Sequence, residues 1–475
     1  MIKIQFIRLL ILAGVILMPV MMSAQEFPVA VGSDTTFSAG AVYGGENGLV
    51  AILGNALNSN NITAQLIGAS GTLIGSRISL GAIGVMPGPI PIFDGTNYFL
   101  VWLEFNGDLK GQFINTSGSL VGASFVIASD ISINRLDYRI GLSDESYLVV
   151  FVKTNNYLCG QRISTTGNLI GDQIQISSNY ARDISIAYDG TNYLVAWVEQ
   201  IPDTDKDIFG QFISKAGAFV GSNFLIDGGP NYSDNPTSIA FDGARYLLAF
   251  HEVPSTGSKW TLMGKFITAS GTIQETITIR DSSTSPGYPS VAFDNSNYLI
   301  TWGQRSNGLF MGRFYNVSGI PIGEPFEIFS ASENKMPIGG VGFGGNLYLA
   351  VATKVNASFS DGDVYGRFIQ PITDVETENN MVSKKYALFQ NYPNPCNPST
   401  KIQYNIEKAS MVSLKVYNVL GNDMATLVHG NQDAGNYTVS FSASEGNTSA
   451  LSSGVYFYRL QAGTFVSTKK LILMK

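Results

Sequence analysis

Glu104, Glu199 and Glu252 share one place in a repeating pattern, each six residues after a tyrosine (Tyr98, Tyr193, Tyr246). Two carboxylates set across a glycosidic bond can hydrolyse it, and a rim of carboxylates can accept from sugar hydroxyls or hold cations. As repeat equivalents they read more simply as solvated strand-end carboxylates copied by duplication, because Lys153, Gln304 and Lys354 hold the same place in other units. Asp108, Asp207 and Asp363 come shortly afterwards in their own units and extend the partial acidic rim. The run Asp203, Thr204, Asp205, Lys206, Asp207 alternates oxygen ligands and invites a calcium reading. The complete loop, with its central glycine and distal glutamate, is missing, so an exposed acidic loop is the simpler account. Trp260, like Tyr180, Tyr232 and Tyr288, falls in a segment of variable length, where a ring can stack on a sugar or pack on its own sheet.

Other catalytic equipment is sparse. The chain has two histidines, His251 and His429, and the first holds a repeat position occupied elsewhere by Leu103, Val198 or Gly303. A serine or cysteine nucleophile needs a base beside it, and no Ser or Cys here has a distinctive context. Phosphate-loop, zinc and dinucleotide signatures are missing as well, and no cofactor is expected. A binding protein is the first expectation, a polysaccharide-cleaving enzyme built on Glu199 and Glu252 the second, and a self-associating structural surface component the third.

The elements that position these residues repeat along the chain. A tyrosine opens one apolar run at 98, 147, 193, 246, 298 and 348, and Gly48 stands one step earlier in AVYGGENGLVAIL, which makes seven units. A period near fifty residues built from β-type segments marks propeller blades rather than helical solenoids. Each unit reads as four short strands. The first ends at an Asp-Gly, Gly-Gly or Asn-Ser turn suited to a tight hairpin. The second runs from the tyrosine to an aromatic residue four places on, such as Trp102, Trp197 or Trp302. The third carries an interior glycine (Gly111, Gly160, Gly210, Gly264, Gly312, Gly366), which implies a bulge or a close approach. The fourth is a short alternating run such as Phe125-Val126-Ile127.

The seventh unit lacks that fourth run after VYGRFIQPI, and Phe27-Pro28-Val29 supplies the same pattern at the other end of the chain. The expectation is therefore a seven-bladed β-propeller closed by its N-terminal strand, with Pro28 tolerated on an outermost edge. The connections between strands two and three, and between units, vary in length, whereas the other two turns are uniform. In an up-and-down blade the variable connections share one face, which becomes the candidate binding surface.

Bulk properties fit an exported all-β protein. Apolar residues make up 45% and charged residues 14% of the 475, with 51 glycines for tight turns. A net charge of −7 without a basic stripe argues against nucleic acid. Lys3 and Arg8 with the apolar run Leu9 to Met22, ending in Ser23-Ala24, read as a signal peptide over residues 1–24. No later segment is apolar enough to span a bilayer, so no membrane span is expected in the mature chain. Cys159 and Cys396 lie in different segments and make no disulfide framework; Cys159 reads as a small core residue.

After Ile372 the polar stretch TDVETENNMVSKK reads as a linker, residues 373–386, before a second β pattern that suggests a small sandwich. FQNYPNPCNPST (Phe389 to Thr400), VYNVLG (Val416 to Gly421), SGVYFYRL (Ser453 to Leu460) and the closing KKLILMK carry a resemblance. Residues 387–475 resemble the type A C-terminal sorting domain of type IX secretion substrates of the Bacteroidota and related phyla. The resemblance implies an Ig-like sandwich and handling by the type IX machinery. It also implies delivery through the periplasm to the outer cell surface or the medium. Tyr392, Pro393, Asn394, Pro395, Gly454 and Tyr456 would carry the sorting motif, with Cys396 departing from the family's usual Phe. The full expectation is a signal peptide, a propeller over 25–372 that binds a glycan, protein or matrix ligand, a linker and the sorting domain.

Overall fold

A computed structural model describes residues 26–473 apart from 32–35, 45–46, 55–60, 84–87, 134–136, 201–205, 229–230, 233–237, 255–259, 282–285, 305–306, 331–335, 345, 356–361, 373–385, 390, 392–393, 395, 397–398, 434 and 443–450. The signal peptide and nearly all of the linker lie outside these residues, as do Asp203, Asp205, Tyr392, Pro393 and Pro395. Every named element is a β-strand. Among the described residues no helix is long and apolar enough to cross a membrane. The chain divides into two compact units, one through Ile372 and one from Thr373.

The first unit is a series of antiparallel sheets, all but the last built from chain-consecutive strands. The second sheet shows the plan: Ile90–Phe93, Asn97–Leu103, Leu109–Asn115 and Leu120–Ala128 pair in that order. The other sheets cover residues 36–83, 138–177, 181–227, 231–280 and 286–329. In the last, Met336–Gly344, Leu347–Val355 and Gly362–Ile369 are joined on their outer side by Phe27–Ala30. The first strand of each sheet touches that of the next, and Met336–Gly344 touches Thr36–Gly44 of the first sheet.

Local sequence explains the sheets. The second strand of each is buried along nearly its whole length, as in Asn97–Leu103 and Ser146–Val152, because sheets cover both of its faces. The hairpin before it is capped by an aspartate: Asp94 Oδ1 accepts from the N–H of Thr96 and Asn97, both at 2.7 Å, and Asp189, Asp242 and Asp294 do the same. The interior glycine of strand three has both predicted properties. Pairing with strand four shifts register next to Gly111, Gly160, Gly210 and Gly312, and a Cβ at Gly111 would lie 2.6 Å from the Phe99 ring.

Neighbouring sheets are held by aromatic contacts that recur with the repeat. Phe113 lies 6.0 Å from Tyr147 of the next sheet, and Phe212–Tyr246, Phe266–Tyr298 and Phe314–Tyr348 repeat the contact at 6.0, 6.1 and 5.7 Å. A fourth-strand ring stacks on the third-strand ring, as in Phe212–Phe224 (5.6 Å) and Phe314–Phe326 (5.7 Å). Phe27 takes that part in the last sheet, 5.5 Å from Phe368, with Phe27 paired to Gly366 and Pro28 to Tyr365 on the terminal strand. Phe27–Ala30 is thus the outer strand of the last sheet.

The second unit has a three-stranded sheet (Ala387–Leu388, Ser399–Ile406, Gly435–Ser442) and a four-stranded one (Ser410–Asn418, Asp423–Gln432, Gly454–Ala462, Phe465–Leu473). Alternation along Ser399–Ile406 sends Ile402, Tyr404 and Ile406 inward to meet Val412, Leu414, Val416, Tyr458 and Leu460 in one core.

Candidate functional site

The structure turns two of the three repeat-equivalent glutamates into struts. Residues i and i+2 of a strand share a face, so the glutamate two places after a tryptophan reaches back to the indole. Trp102 Nε1 donates to Glu104 at 3.4 Å, and Glu104 also pairs with Lys110 at 3.0 Å. Glu199 is buried and accepts from Trp197 Nε1 (3.1 Å), Ser177 Oγ (3.3 Å) and Asn179 Nδ2 (2.5 Å). With its lone pairs shared among three donors, Glu199 ties the indole of its sheet to the end of the preceding one. Lys354, at the same repeat place in the last sheet, pairs with Glu26 at 2.6 Å and lies 4.5 Å from the Tyr365 ring centre.

Glu252 follows Phe250 rather than an indole and is half-buried. Trp260, half-buried, packs on its own sheet with its ring 5.5 Å from that of the buried His251. Glu104 and Glu199 are thus each bonded within their own part of the unit. Asp207 is half-buried, while Asp203 and Asp205 fall outside the described residues. Among the described residues no group of three or more His, Cys, Asp or Glu side chains gathers to hold a metal ion.

A feature that sequence reasoning did not single out lies beside Glu104. The turn after Asn97–Leu103, the connection between the second and third sheets, and the turn after Ser146–Val152 meet around a cleft of about 250 Å³. Phe105, Asn106, Asp130, Ser132, Ile133 and Thr154 line it, with Gly107 and Ile131. Three main-chain bonds fix its walls: Ile131 N to Gly107 O (3.0 Å), Ser132 N to Val152 O (3.1 Å) and Thr154 N to Asp130 O (2.9 Å). The available signal was Phe105, a large apolar residue at the tip of a short polar loop.

In the second unit, Asn394 of the YPNP run clamps the last strand with both ends of its amide: Nδ2 donates to Lys470 O (3.3 Å) and Oδ1 accepts from Ile472 N (2.8 Å). Tyr458 donates to Phe389 O (2.8 Å) and accepts from Asn391 N (2.7 Å), and burial raises its phenol pKa. Tyr456 is buried and donates to Ser452 O at 2.9 Å, and Gly454 opens the same strand. Three of the four sequence blocks, the first, the third and the last, are thus one hydrogen-bonded assembly, which gives a physical reason for their joint occurrence. Cys396 is buried where it pairs with Leu473 in a parallel bridge.

Residues 390–474 match the family described as the secretion system C-terminal sorting domain. The chain carries a secretion-sorting tail. Such a type IX tail indicates export to the cell surface or secretion. Among solved structures, the BP39L lectin from Burkholderia pseudomallei matches with a TM-score of 0.54 at 10% identity, covering 71% of this chain and 98% of the lectin. The β-propeller domain of the Trilobed protease from Pyrococcus furiosus matches with a TM-score of 0.46 at 14% identity, covering 70% of this chain and 95% of that one. At such identities the likeness concerns the fold, which is that of β-propellers. No curated protein matches the chain.

Proposed function

We propose that this chain is an exported, cell-surface or secreted binding protein that the type IX machinery delivers through its C-terminal domain. In this reading the seven sheets of residues 27–369 are the blades of a closed propeller, sealed by Phe27–Ala30, and residues 387–475 form an Ig-like sorting sandwich. The observation that carries the delivery is the match of residues 390–474 to a sorting domain, with Asn394 and Tyr458 holding its sequence blocks together. Ring closure is supported by the pairing of Phe27 with Gly366 and by the contact between the first strands of the first and last sheets.

A rigid scaffold with variable connections on one side is suited to recognition, and we place the ligand surface on that side. A glycan, a surface protein or a matrix component would bind there, with Glu104 and Glu199 bracing the rim beneath it. Deleting residues 387–475 tests the delivery: the shortened protein is expected to remain in the periplasm, and unchanged surface delivery would refute the sorting role. Binding is tested by presenting the purified mature chain to arrays of glycans and matrix proteins. Release of product from polysaccharides, lost in Glu199→Gln or Glu252→Gln, would instead make the protein an enzyme.

A further inference from the structure

We infer that the cleft bounded by Phe105, Asp130, Ser132, Ile133 and Thr154 binds one ring of a neutral saccharide; this rests on the reading of the chain as a surface binding protein and names its ligand class. The cleft has two kinds of wall. Phe105 is 56% and Ile133 41% exposed, so an aromatic face and an aliphatic one stand open to solvent. Asp130, Ser132 and Thr154 line the same space, and among the described residues their side chains make no hydrogen bond to another side chain. Nearby polar groups that could compete are already committed. Asn106 Nδ2 donates to Asp108 Oδ2 (2.8 Å) and Asn106 Oδ1 accepts from Asp108 N (3.0 Å), while Ser129 Oγ donates to Asp108 Oδ1 (2.6 Å).

The shape is set before any ligand arrives. The three main-chain bonds across the walls hold it, and Asp130 keeps a left-handed backbone at φ 63°, a conformation uncommon outside glycine and concentrated at functional sites. A ligand that fits must offer an apolar face to Phe105 and Ile133 and hydroxyl groups to Asp130, Ser132 and Thr154. A pyranose ring does both, with C–H groups on its face and hydroxyls on its rim. Among the described residues the lining contains a carboxylate and no Lys or Arg, which disfavours phosphate, sulfate and acidic sugars. Asp130 is the one carboxylate in the described lining, which gives a calcium-type cation little charge to bind. At about 250 Å³ the space falls below the roughly 300–1,000 Å³ of a drug-sized pocket, as suits a single ring of a longer chain.

The test uses the full mature chain on an array of gluco-, manno-, galacto- and xylo-oligosaccharides, with polygalacturonate as the acidic comparison. Binding to at least one neutral series and not to polygalacturonate is expected. Phe105→Ala should weaken it about tenfold or more, Phe105→Trp should keep it, and Asp130→Asn should weaken it about fivefold, each with an unchanged melting temperature. Phe219→Ala, which removes an exposed ring from another sheet, should have no effect. Saccharide binding that survives both Phe105→Ala and Asp130→Asn overturns the cleft assignment while leaving the binding-protein reading intact. Failure of every neutral oligosaccharide at millimolar concentration, with a matrix protein bound instead, also overturns the saccharide inference alone. Failure of both arrays refutes the inference and the underlying reading together.

Discussion

The junction between the second and third sheets and the junction between the seventh and first do the same job with different chemistry. At the former, Tyr147 donates its phenol to Asp94 Oδ2 at 2.6 Å, while Asp94 Oδ1 caps its own turn. At the latter both partners are gone: Gly48 stands where the tyrosine would be and Gly344 where the aspartate would be. Tyr43, directly across from Gly48 in the pairing, lays its ring over the empty place, so that a Cβ on Gly48 would lie 3.1 Å from it. That ring meets Phe368 edge-on at 5.2 Å, and Phe368 meets Phe27 at 5.5 Å. Gly344 lets the main chain of Tyr43 come so close that a Cβ there would sit 1.6 Å from the Tyr43 oxygen. The second and third sheets are tied by a short covalent connection, and the directional Tyr147–Asp94 bond adds to the ring contacts between them. The first and last sheets lack that covalent connection and that bond, and the aromatic burial shared with other junctions is joined there by close backbone contact.

The contrast can be broken most forcefully at Gly344. Gly344→Ala drives a methyl group into main chain that cannot rotate away, and we expect a loss of about 4 kcal/mol or more, read as a fall in Tm. Ala tolerated there without change would mean that the two sheets are not in contact. Next comes Phe27→Ala. Its half-buried ring covers Gly366 and Gly71, where added Cβ atoms would lie 2.5 and 2.6 Å from it, and its loss should cost about 2 kcal/mol in urea unfolding. A larger loss from Phe125→Ala than from Phe27→Ala would contradict the seam's special dependence on aromatic burial.

Tyr147→Phe removes a hydrogen bond to a carboxylate and should cost about 1.5 kcal/mol. The same change at Tyr98, whose OH donates to the main-chain oxygens of Gly44 (3.1 Å) and Asn47 (2.7 Å), should cost about 1 kcal/mol.

The most diagnostic effect is alkaline. Burial pushes the Tyr98 phenol up to about 12, and burial with a neighbouring carboxylate pushes Tyr147, Tyr246, Tyr298 and Tyr348 higher. Above pH 10 the unfolded chain releases these protons while the folded chain keeps them, so stability falls as pH rises. One such phenol contributes a slope of up to about 1.4 kcal/mol per pH unit. Between pH 10 and 12, Tyr98→Phe should flatten the decline by up to that amount in urea titrations; an unchanged slope would show that Tyr98 is not buried in solution.

Much of this was legible in residues. The fifty-residue spacing of the tyrosines, the Asp-Gly turns and the interior glycines each correspond to a strand, a cap and a bulge. Phe27-Pro28-Val29 has the pattern of Phe125-Val126-Ile127, and the structure seats Phe27 where its counterparts sit. The candidate rim was legible in type but not in role. Strand alternation places Glu104 and Glu199 under an indole two residues earlier, and the indole–carboxylate bond depends on burial that a local pattern does not encode. The cleft at Phe105 was missed because its lining comes from three segments between Phe105 and Thr154, none of which forms a motif by itself.

The sequence by itself determined the repeating strand pattern, the turn chemistry and the identity of the tail, because those depend on neighbours within a few residues or on whole matching blocks. Only the tertiary structure decided which carboxylates are braces, what fills the place of the missing tyrosine at Gly48, and where Ser132 and Thr154 come together with an exposed ring. Those outcomes depend on groups from separate sheets or separate connections sharing a few ångströms of space, and that proximity exists only once the chain has folded.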